Sequence, residues 1–346
     1  MTVLLEAHHV SKVYGSGLFK RETNLALDDF SMRIETEPAS ITAVVGESGS
    51  GKTTLARVLL GETGPTSGEI RFLGKDLTTL SRQERKAFRR DVQVIFQDPY
   101  EVYNPFYRVD HVLETPILKF GLATSKAQAR DLMVEVLSAV GLRPEETLGR
   151  YPHQLSGGQR QRIMVARALL VRPRLIIADE PVSMVDASLR ATILDSLRTL
   201  TREFGVSLIY ITHDLITAYQ ISDNIVVLYR GSVAEAGAAE PIVQAPEHPY
   251  TQLLIGSIPQ PDPDRMWSPE QEPSTIGRSA TRISGCKFAS RCPHAMEMCL
   301  EQHPPLYQTE PNRVAACYLY RDAPVLSVAP LDSVFVSPET TEAAAD

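Results

Sequence analysis

Eight consecutive residues, 46–53, have the types and the spacing of a phosphate-binding loop. They read G-x-x-x-x-G-K-T between the apolar run Ile41–Val45 and a stretch of helical composition at 54–60. Backbone N–H groups of such a loop, with the positive end of the following helix, surround a polyphosphate. Lys52 is expected to reach the β- and γ-phosphates and the Thr53 hydroxyl to ligate Mg²⁺. Because a strand and a helix flank the motif, we prefer this interpretation to an accidental glycine-rich turn, and predict that a nucleoside triphosphate binds here.

Two further segments carry groups that suit phosphate chemistry. Residues 156–159, Ser-Gly-Gly-Gln, open a helical run to residue 170, and the start of that helix presents N–H donors to an anion. The apolar strand at 175–178 ends in two carboxylates, Asp179 and Glu180. Asp179 fits the Mg²⁺-associated acid of a phosphate-loop enzyme, and Glu180 fits the group that polarises the attacking water. A structural acid pair is the alternative, but it does not predict the other motifs.

The order of these motifs resembles the nucleotide-binding subunit of ATP-binding-cassette (ABC) proteins over roughly residues 1–240. The resemblance implies an α/β fold, with a phosphate-loop core sheet and a helical subdomain at about 91–170. It implies that Glu180 and His213 are catalytic, that Asp186 lies in the loop at the dimer contact, and that Thr53, Gln97 and Asp179 serve Mg²⁺. The residues it assigns to ATP in the same chain are Tyr14, Gly46, Glu47, Ser48, Gly49, Ser50, Gly51, Lys52, Thr53, Thr54 and Gln97. The signature Ser156, Gly157, Gly158 and Gln159 is assigned to ATP held by another chain.

The resemblance also implies a partner ATPase. In ABC proteins the signature of one subunit closes over the phosphate loop of another. This sequence has one phosphate loop, one signature and no internal repeat. We therefore expect pairing with a second ABC ATPase subunit, a homologue rather than an identical copy.

Composition narrows the class of process. The net charge of −7 and a pI near 5.7 argue against a general nucleic-acid binder. The N-terminus lacks a signal-peptide pattern, and no run approaches the ~20 apolar residues that cross a bilayer. The sequence predicts a cytoplasmic protein. If it serves a membrane process, we expect it to dock on a membrane-spanning partner, peripherally on the cytoplasmic face of the cell (inner) membrane.

The region after residue 240 resembles the C-terminal extension of ABC subunits in the oligopeptide/dipeptide/nickel importer family. The segment 248–254, H-P-Y-T-Q-L-L, carries this resemblance, together with Y-P-H-Q at 151–154. Gln97-Asp98-Pro99-Tyr100 resembles the F-type subunit of such importers. The family implies two transmembrane permease subunits and an extracytoplasmic binding protein, with peptides or, alternatively, oligosaccharides as solute. The runner-up function is a soluble ABC ATPase acting on ribosomes or DNA.

All four cysteines of the chain lie within residues 286–317, spaced C-x5-C-x6-C-x17-C. A reducing cytoplasm does not retain disulfides, so four thiolates in a small segment predict a metal centre. Zinc and a [4Fe–4S] cluster both remain open, and the importer resemblance favours iron–sulfur. The predicted ligands are Cys286, Cys292, Cys299 and Cys317.

The chain is predicted to divide into an ATPase domain (1–240), an extension with the four cysteines (241–321) and a mobile acidic tail (322–346). Proline-rich residues 259–273 are interpreted as a linker. Strands are expected at 3–8, 27–34, 41–45, 68–72, 175–178, 207–212 and 224–229, in a mostly parallel sheet. Helices are expected at 81–90, 108–119, 126–140, 155–170 and 250–258. Because the four cysteines are assigned to a different domain from the phosphate loop and the acid pair, ATP binding is expected to survive replacement of any one cysteine by serine.

Overall fold

The computed structural model describes residues 2–15, 23–98, 103–258, 284–326 and 330–336. Within them the strands are β1 (Val3–Tyr14), β2 (Asn24–Glu35), β3 (Ile41–Val45), β4 (Ser67–Phe72), β5 (Lys75–Asp76), β6 (Val92–Ile95), β7 (Leu175–Asp179), β8 (Ser207–Thr212), β9 (Asn224–Tyr229), β10 (Ser232–Ala238), β11 (Tyr307–Glu310) and β12 (Arg313–Ala315). The helices are α1 (Lys52–Leu59), α2 (Arg82–Asp91), α3 (Asp110–Phe120), α4 (Lys126–Ala139), α5 (Pro144–Thr147), α6 (Gly157–Leu169), α7 (Ala187–Phe204), α8 (Leu215–Ile221), α9 (Ala239–Gln244), α10 (Pro249–Gly256) and α11 (Met298–Glu301).

A large mixed sheet forms the centre, in the order β11-β12-β10-β9-β3-β8-β7-β6. The strands from β9 to β6 run parallel, and β10, β12 and β11 are antiparallel to their neighbours. All residues of β3, β8 and β9 are buried. Continuous apolar runs are typical of parallel strands covered on both faces, which is why these strands were recognisable in the sequence. The sequence predicted this sheet correctly as mostly parallel.

A second, four-stranded antiparallel sheet has the order β2-β1-β4-β5. Its strands β1 and β2 are each 12 residues long, longer than the predicted 3–8 and 27–34. Their pairing carries Tyr14 to the end of β1, opposite Asn24.

Helices α3, α4 and α6 pack against one another and form the helical subdomain. Their buried residues include Leu113 and Ile117 of α3, Met133 and Leu137 of α4, and Ile163 of α6. The predicted helices agree with the observed ones to within about two residues at each end. No helix in the described ranges is long and apolar enough to cross a membrane.

The extension adds strands to the central sheet, a pairing that the sequence did not predict. β12 lies beside β10, with Ala236 opposite Val314. The central sheet therefore runs across the predicted boundary at residue 240. The predicted linker at 259–273 lies outside the described residues.

Residues 330–336 correct the prediction of a mobile tail. Leu331 and Val334 are 2% and 1% exposed in the core beneath β2 and β10. The Asp332 carboxylate accepts hydrogen bonds from the Arg33 backbone N–H at 2.9 Å and its guanidinium at 3.0 Å. Two apolar side chains and one acid therefore attach this segment to β2. Residues 337–346 lie outside the described part of the chain.

Candidate functional site

The phosphate loop connects β3 to α1 and packs closely against neighbouring backbone. Gly51, which precedes α1, has φ +105°, and a Cβ atom there would lie 2.3 Å from the Ala26 carbonyl oxygen. At Gly46 a Cβ atom would lie 2.2 Å from the Leu228 carbonyl oxygen. Only glycine fits these two positions, so the spacing of the motif follows from the space that β2 and β9 leave.

Lys52 directs its ammonium group into the loop. Its Nζ donates hydrogen bonds to the carbonyl oxygens of Gly46 at 2.6 Å and Glu47 at 3.0 Å. Burial lowers the pKa of Lys52, while the Glu180 and Asp179 carboxylates act in the opposite direction. The loop therefore encloses one cation beside an acid pair, an arrangement suited to a polyphosphate with its metal ion.

Thr53 and Asp179 meet at the start of α1. Burial raises the pKa of the Asp179 carboxyl, and a hydrogen bond from the Thr53 side chain opposes that shift. The other carboxylate oxygen, Oδ1, is buried and has no hydrogen-bond partner among the described residues. A hydroxyl beside an unpartnered buried carboxylate oxygen fits Mg²⁺, which prefers oxygen ligands.

Glu180, His213 and Gln97 converge next to this pair. The His213 Nδ1 atom lies 2.9 Å from both Glu180 carboxylate oxygens, and Gln97 Nε2 lies 3.5 Å from one of them. Glu180 has φ +48°, a conformation that is uncommon outside glycine, and its backbone N–H donates to the Ile211 carbonyl oxygen at 2.8 Å. Non-glycine residues held in this region cluster at functional sites.

Residues from distant parts of the chain line an open cleft of about 620 Å³. Tyr14, Thr53, Gln97, Asp179 and Met184 line it. Tyr14 is 39% exposed there, so its ring is available to a ligand. Of the predicted ATP and Mg²⁺ residues, the cleft brings together Tyr14 of β1, Thr53 of α1, Gln97 after β6 and Asp179 of β7.

The signature lies elsewhere. None of residues 156–159 is among the described residues that line this cleft. Ser156 caps α6: its side chain accepts a hydrogen bond from the Gln159 N–H at 3.2 Å, and Gln159 Oε1 accepts one from the Ser156 N–H at 2.9 Å. Gly158 packs against Leu189 of α7, where a Cβ atom would approach a side-chain carbon to 2.8 Å. Asp186, the predicted residue of the dimer contact, is the N-cap of α7.

Two contacts that the sequence did not reveal join the signature helix to the segment after β6. Gln161 Nε2 donates to the Phe96 carbonyl oxygen at 3.4 Å, beside Gln97. The Tyr103 hydroxyl donates to the Arg160 carbonyl oxygen at 2.9 Å. Neither residue belongs to a recognisable motif, and the contacts arise from tertiary packing alone.

The four cysteines line one cavity of the extension, together with His248 and His294. Burial raises the pKa of Cys292 to about 11 and that of Cys317 to about 12. The cavity measures about 20 Å³, which is room for about one water-sized sphere. Across the residues that the structure describes, no group of three or more His, Cys, Asp or Glu side chains has the arrangement of a metal site. The support for the predicted metal centre is therefore the convergence of the four thiols on one cavity.

Comparison with known proteins agrees with this geometry. Residues 27–183 match the family described as ABC transporter, and residues 234–299 match the oligopeptide/dipeptide transporter C-terminal region. The chain is 41% identical over 327 residues to the putative oligopeptide transport ATP-binding protein YkfD of Bacillus subtilis, covering 92% of this chain and 96% of the relative. It is 38% identical over 323 residues to the oligopeptide transport ATP-binding protein OppF of Haemophilus influenzae, covering 91% and 96%.

Among solved structures, the ATP-binding cassette MJ0796 in a dimeric post-hydrolysis state with ADP and Pi superposes with a TM-score of 0.59. It is 29% identical, and the match covers 68% of this chain and 99% of that one. A phosphate loop, an acid pair and a signature helix on this α/β fold define an ABC-type ATPase. The chain belongs to the ABC transporter ATP-binding proteins that carry the oligopeptide/dipeptide C-terminal region. The family and fold predictions are confirmed.

Proposed function

We propose that the chain hydrolyses ATP to power the import of peptides through a membrane permease. One observation carries this proposal: a single chain contains both the ABC region and the oligopeptide/dipeptide C-terminal region. The names of the relatives from Bacillus subtilis and Haemophilus influenzae support peptides over oligosaccharides. They also favour transport over the runner-up function on ribosomes or DNA.

We assign the chemistry to residues of the cleft as follows. Residues 46–53 hold the phosphates, and Thr53 and Asp179, with Gln97, hold Mg²⁺. Bound there, Mg²⁺ supplies positive charge to neutralise the charge that develops on the phosphates. Glu180 orients and polarises the attacking water, and His213 contacts the γ-phosphate. The 2.9 Å contact between Glu180 and His213 supports a joint role, because it places the acid and the imidazole side by side.

A second ATPase subunit completes the site in this proposal. The family resemblance supports this, because in ABC proteins the signature of one subunit closes over the phosphate loop of another. The dimeric cassette MJ0796 provides a precedent. A head-to-tail pair encloses two sites and has two-fold symmetry, or pseudo-two-fold symmetry when the partner is a homologue.

Permease docking is assigned to the helical subdomain. Phe106 and Tyr107 are 86% and 52% exposed, and Leu118 on α3 is 79% exposed. These large apolar side chains follow the segment that bears Gln97, so a partner seated on them is coupled to the cleft. The proposed complex contains two permease subunits and an extracytoplasmic binding protein, with this chain peripheral on the cytoplasmic face.

A transport assay tests the proposal. The chain, its partner ATPase and the permease subunits are co-purified, reconstituted in vesicles with the binding protein, and supplied with ATP and labelled peptides. We expect ATP-dependent peptide uptake that an equal concentration of oligosaccharide does not inhibit. Co-purification with ribosomes or DNA in place of membrane subunits supports the runner-up function instead.

For the extension we propose that Cys286, Cys292, Cys299 and Cys317 bind a metal centre. The support is their convergence on one cavity. Thiols with a raised pKa must lose their protons to bind, so metal affinity is expected to fall at low pH. The family resemblance favours [4Fe–4S], and the small cavity favours a single Zn²⁺.

Metal analysis separates these alternatives. Anaerobically purified protein with [4Fe–4S] is expected to be brown, to absorb near ~400 nm and to contain about four irons per chain. With zinc, it is expected to be colourless with about one metal ion. Replacing Cys299 by serine should release either metal. Absence of both metals, together with free alkylation of all four thiols in the native protein, excludes a metal centre.

A further inference from the structure

The extension reaches into the ATP site at Glu47, the second residue of the phosphate loop. Two guanidinium nitrogens of Arg291 donate to the two carboxylate oxygens of Glu47, each at 3.0 Å. The Tyr250 hydroxyl accepts a hydrogen bond from the Glu47 backbone N–H at 2.8 Å. Side chain and backbone of one loop residue are thus both held by residues more than 200 positions away. The extension and the phosphate loop are therefore in direct contact.

An aromatic cluster fixes the two groups that hold Glu47. Tyr250 is fully buried on α10, with its ring 4.4 Å from that of Tyr229 and 5.6 Å from that of Phe288. The Arg291 guanidinium lies 5.9 Å from the Tyr229 ring and 5.6 Å from the Phe288 ring. Such cation–π contacts orient a guanidinium before it meets its carboxylate. The Arg291 guanidinium binds the Glu47 carboxylate through two parallel hydrogen bonds, the arrangement in which arginine fixes the position of a carboxylate most strictly.

Glu47 in turn positions groups inside the loop. Its carbonyl oxygen accepts hydrogen bonds from Lys52 Nζ at 3.0 Å and from the Ser50 N–H at 3.1 Å. A displacement of Glu47 therefore moves an acceptor of the lysine that is assigned to the phosphates. Lys287 attaches the same turn to a different residue, with Nζ 2.8 Å from the Asp28 carboxylate.

We propose that Arg291 and Tyr250 are positioning residues of the ATP site, through which the C-terminal extension sets the conformation of the phosphate loop and its affinity for ATP. The inference rests on the assignment of residues 46–53 to the phosphates in the proposed function. The extension thereby acquires a role in the reaction cycle. A change of structure in the turn 286–292 reaches the phosphate loop through the ion pair between Arg291 and Glu47, and a change in α10 reaches it through the hydrogen bond between Tyr250 and Glu47.

The first test measures MgATP affinity of the full chain by competition with a fluorescent ATP analogue. Arg291→Gln is expected to raise the dissociation constant about two- to five-fold, the size that a partly exposed ion pair allows. Arg291→Lys keeps the charge but loses the bidentate hydrogen bonds. Its dissociation constant is expected to lie between those of the unchanged chain and of Arg291→Gln. Arg321→Gln is the matched control, because that arginine donates to Met298 within the extension.

Coupling to Glu47 is tested by a double-mutant cycle. If the contact carries the effect, Arg291→Gln adds little to the loss already caused by Glu47→Gln. Tyr250→Phe, which removes the acceptor of the Glu47 N–H, is expected to weaken binding about five-fold and also to lower the melting temperature without nucleotide, because that N–H loses its partner.

Two outcomes overturn the inference: an affinity of Arg291→Gln equal to that of Arg321→Gln, or full additivity of the Arg291 and Glu47 substitutions. Lys52→Ala distinguishes a wrong positioning inference from a wrong assignment of the ATP site. If Lys52→Ala binds ATP as tightly as the unchanged chain, the phosphate-loop assignment is wrong. If Lys52→Ala loses ATP while Arg291→Gln does not differ from its control, only the positioning inference is wrong.

Discussion

Replacing Glu180 by glutamine is expected to lower ATP turnover by ~10²-fold or more while ATP still binds. The substitution keeps the size of the side chain but removes the carboxylate that polarises water. Lys52 and the Thr53–Asp179 pair are unchanged, so the phosphates and Mg²⁺ keep their assigned contacts. Because hydrolysis is what releases a closed pair of subunits, ATP is expected to trap a stable dimer. Steady-state hydrolysis by the assembled complex and gel filtration with and without ATP measure the two effects.

Glu203→Gln is the matched control for this result. The side chain lies exposed near the end of α7, so the same chemical change is made away from the cleft and is expected to leave turnover unaltered. The partner subunit has a site of its own, and the substitution must be made in both chains when they differ. Wild-type turnover in the doubly substituted complex contradicts the role assigned to Glu180.

Much of the candidate site could be predicted because its parts are local motifs at strand ends. β3, β8 and β7 are neighbours in the central sheet and run parallel. Their carboxyl ends therefore lie along one edge, where the phosphate loop, His213 and Asp179 follow directly. In open parallel sheets, ligands bind at this edge. Once the strands were recognised from their apolar runs, the convergence of the motifs followed from topology.

The extension could not be placed in this way. β12 is three residues long, Arg313–Ala315, and so short a strand has no periodicity to read. Its pairing with β10 and the contact of Arg291 with Glu47 depend on side chains that lie far apart in the sequence. The same limit explains why the sequence predicted a mobile tail at 322–346. Leu331 and Val334 are buried there within one short helical turn, which has no periodic pattern to read. Local propensity is a weak guide where tertiary contacts decide.

The second large effect on turnover is expected from a substitution in the signature, because the ATP site is proposed to be shared between two subunits. Ser156→Arg, with the matching substitution in the partner when the two chains differ, is expected to lower turnover of the assembled complex by about 10²-fold, because it replaces a donor at the start of α6 by a bulky cation facing the partner's ATP. The ATP bound at the chain's own phosphate loop is expected to remain, since Lys52 and the Thr53–Asp179 pair are unchanged. Equilibrium ATP binding and steady-state hydrolysis on the same preparation separate the two effects.

Ser156 is also the N-cap of α6, and losing a cap costs about 1 kcal/mol by itself. Ser125→Arg controls for this, because Ser125 caps α4 in the same subdomain by accepting from the Gln128 N–H at 3.2 Å. It is expected to lose stability but not turnover.

Mixing Ser156→Arg chains with Lys52→Ala chains then identifies the partner. In a pair of identical subunits, one of the two composite sites escapes both substitutions and turnover partly returns. In a pair with a homologue the two variants never occur in the same dimer, so mixing restores no turnover beyond that of the separate preparations. Full activity of the isolated chain at high dilution contradicts a shared site in either case.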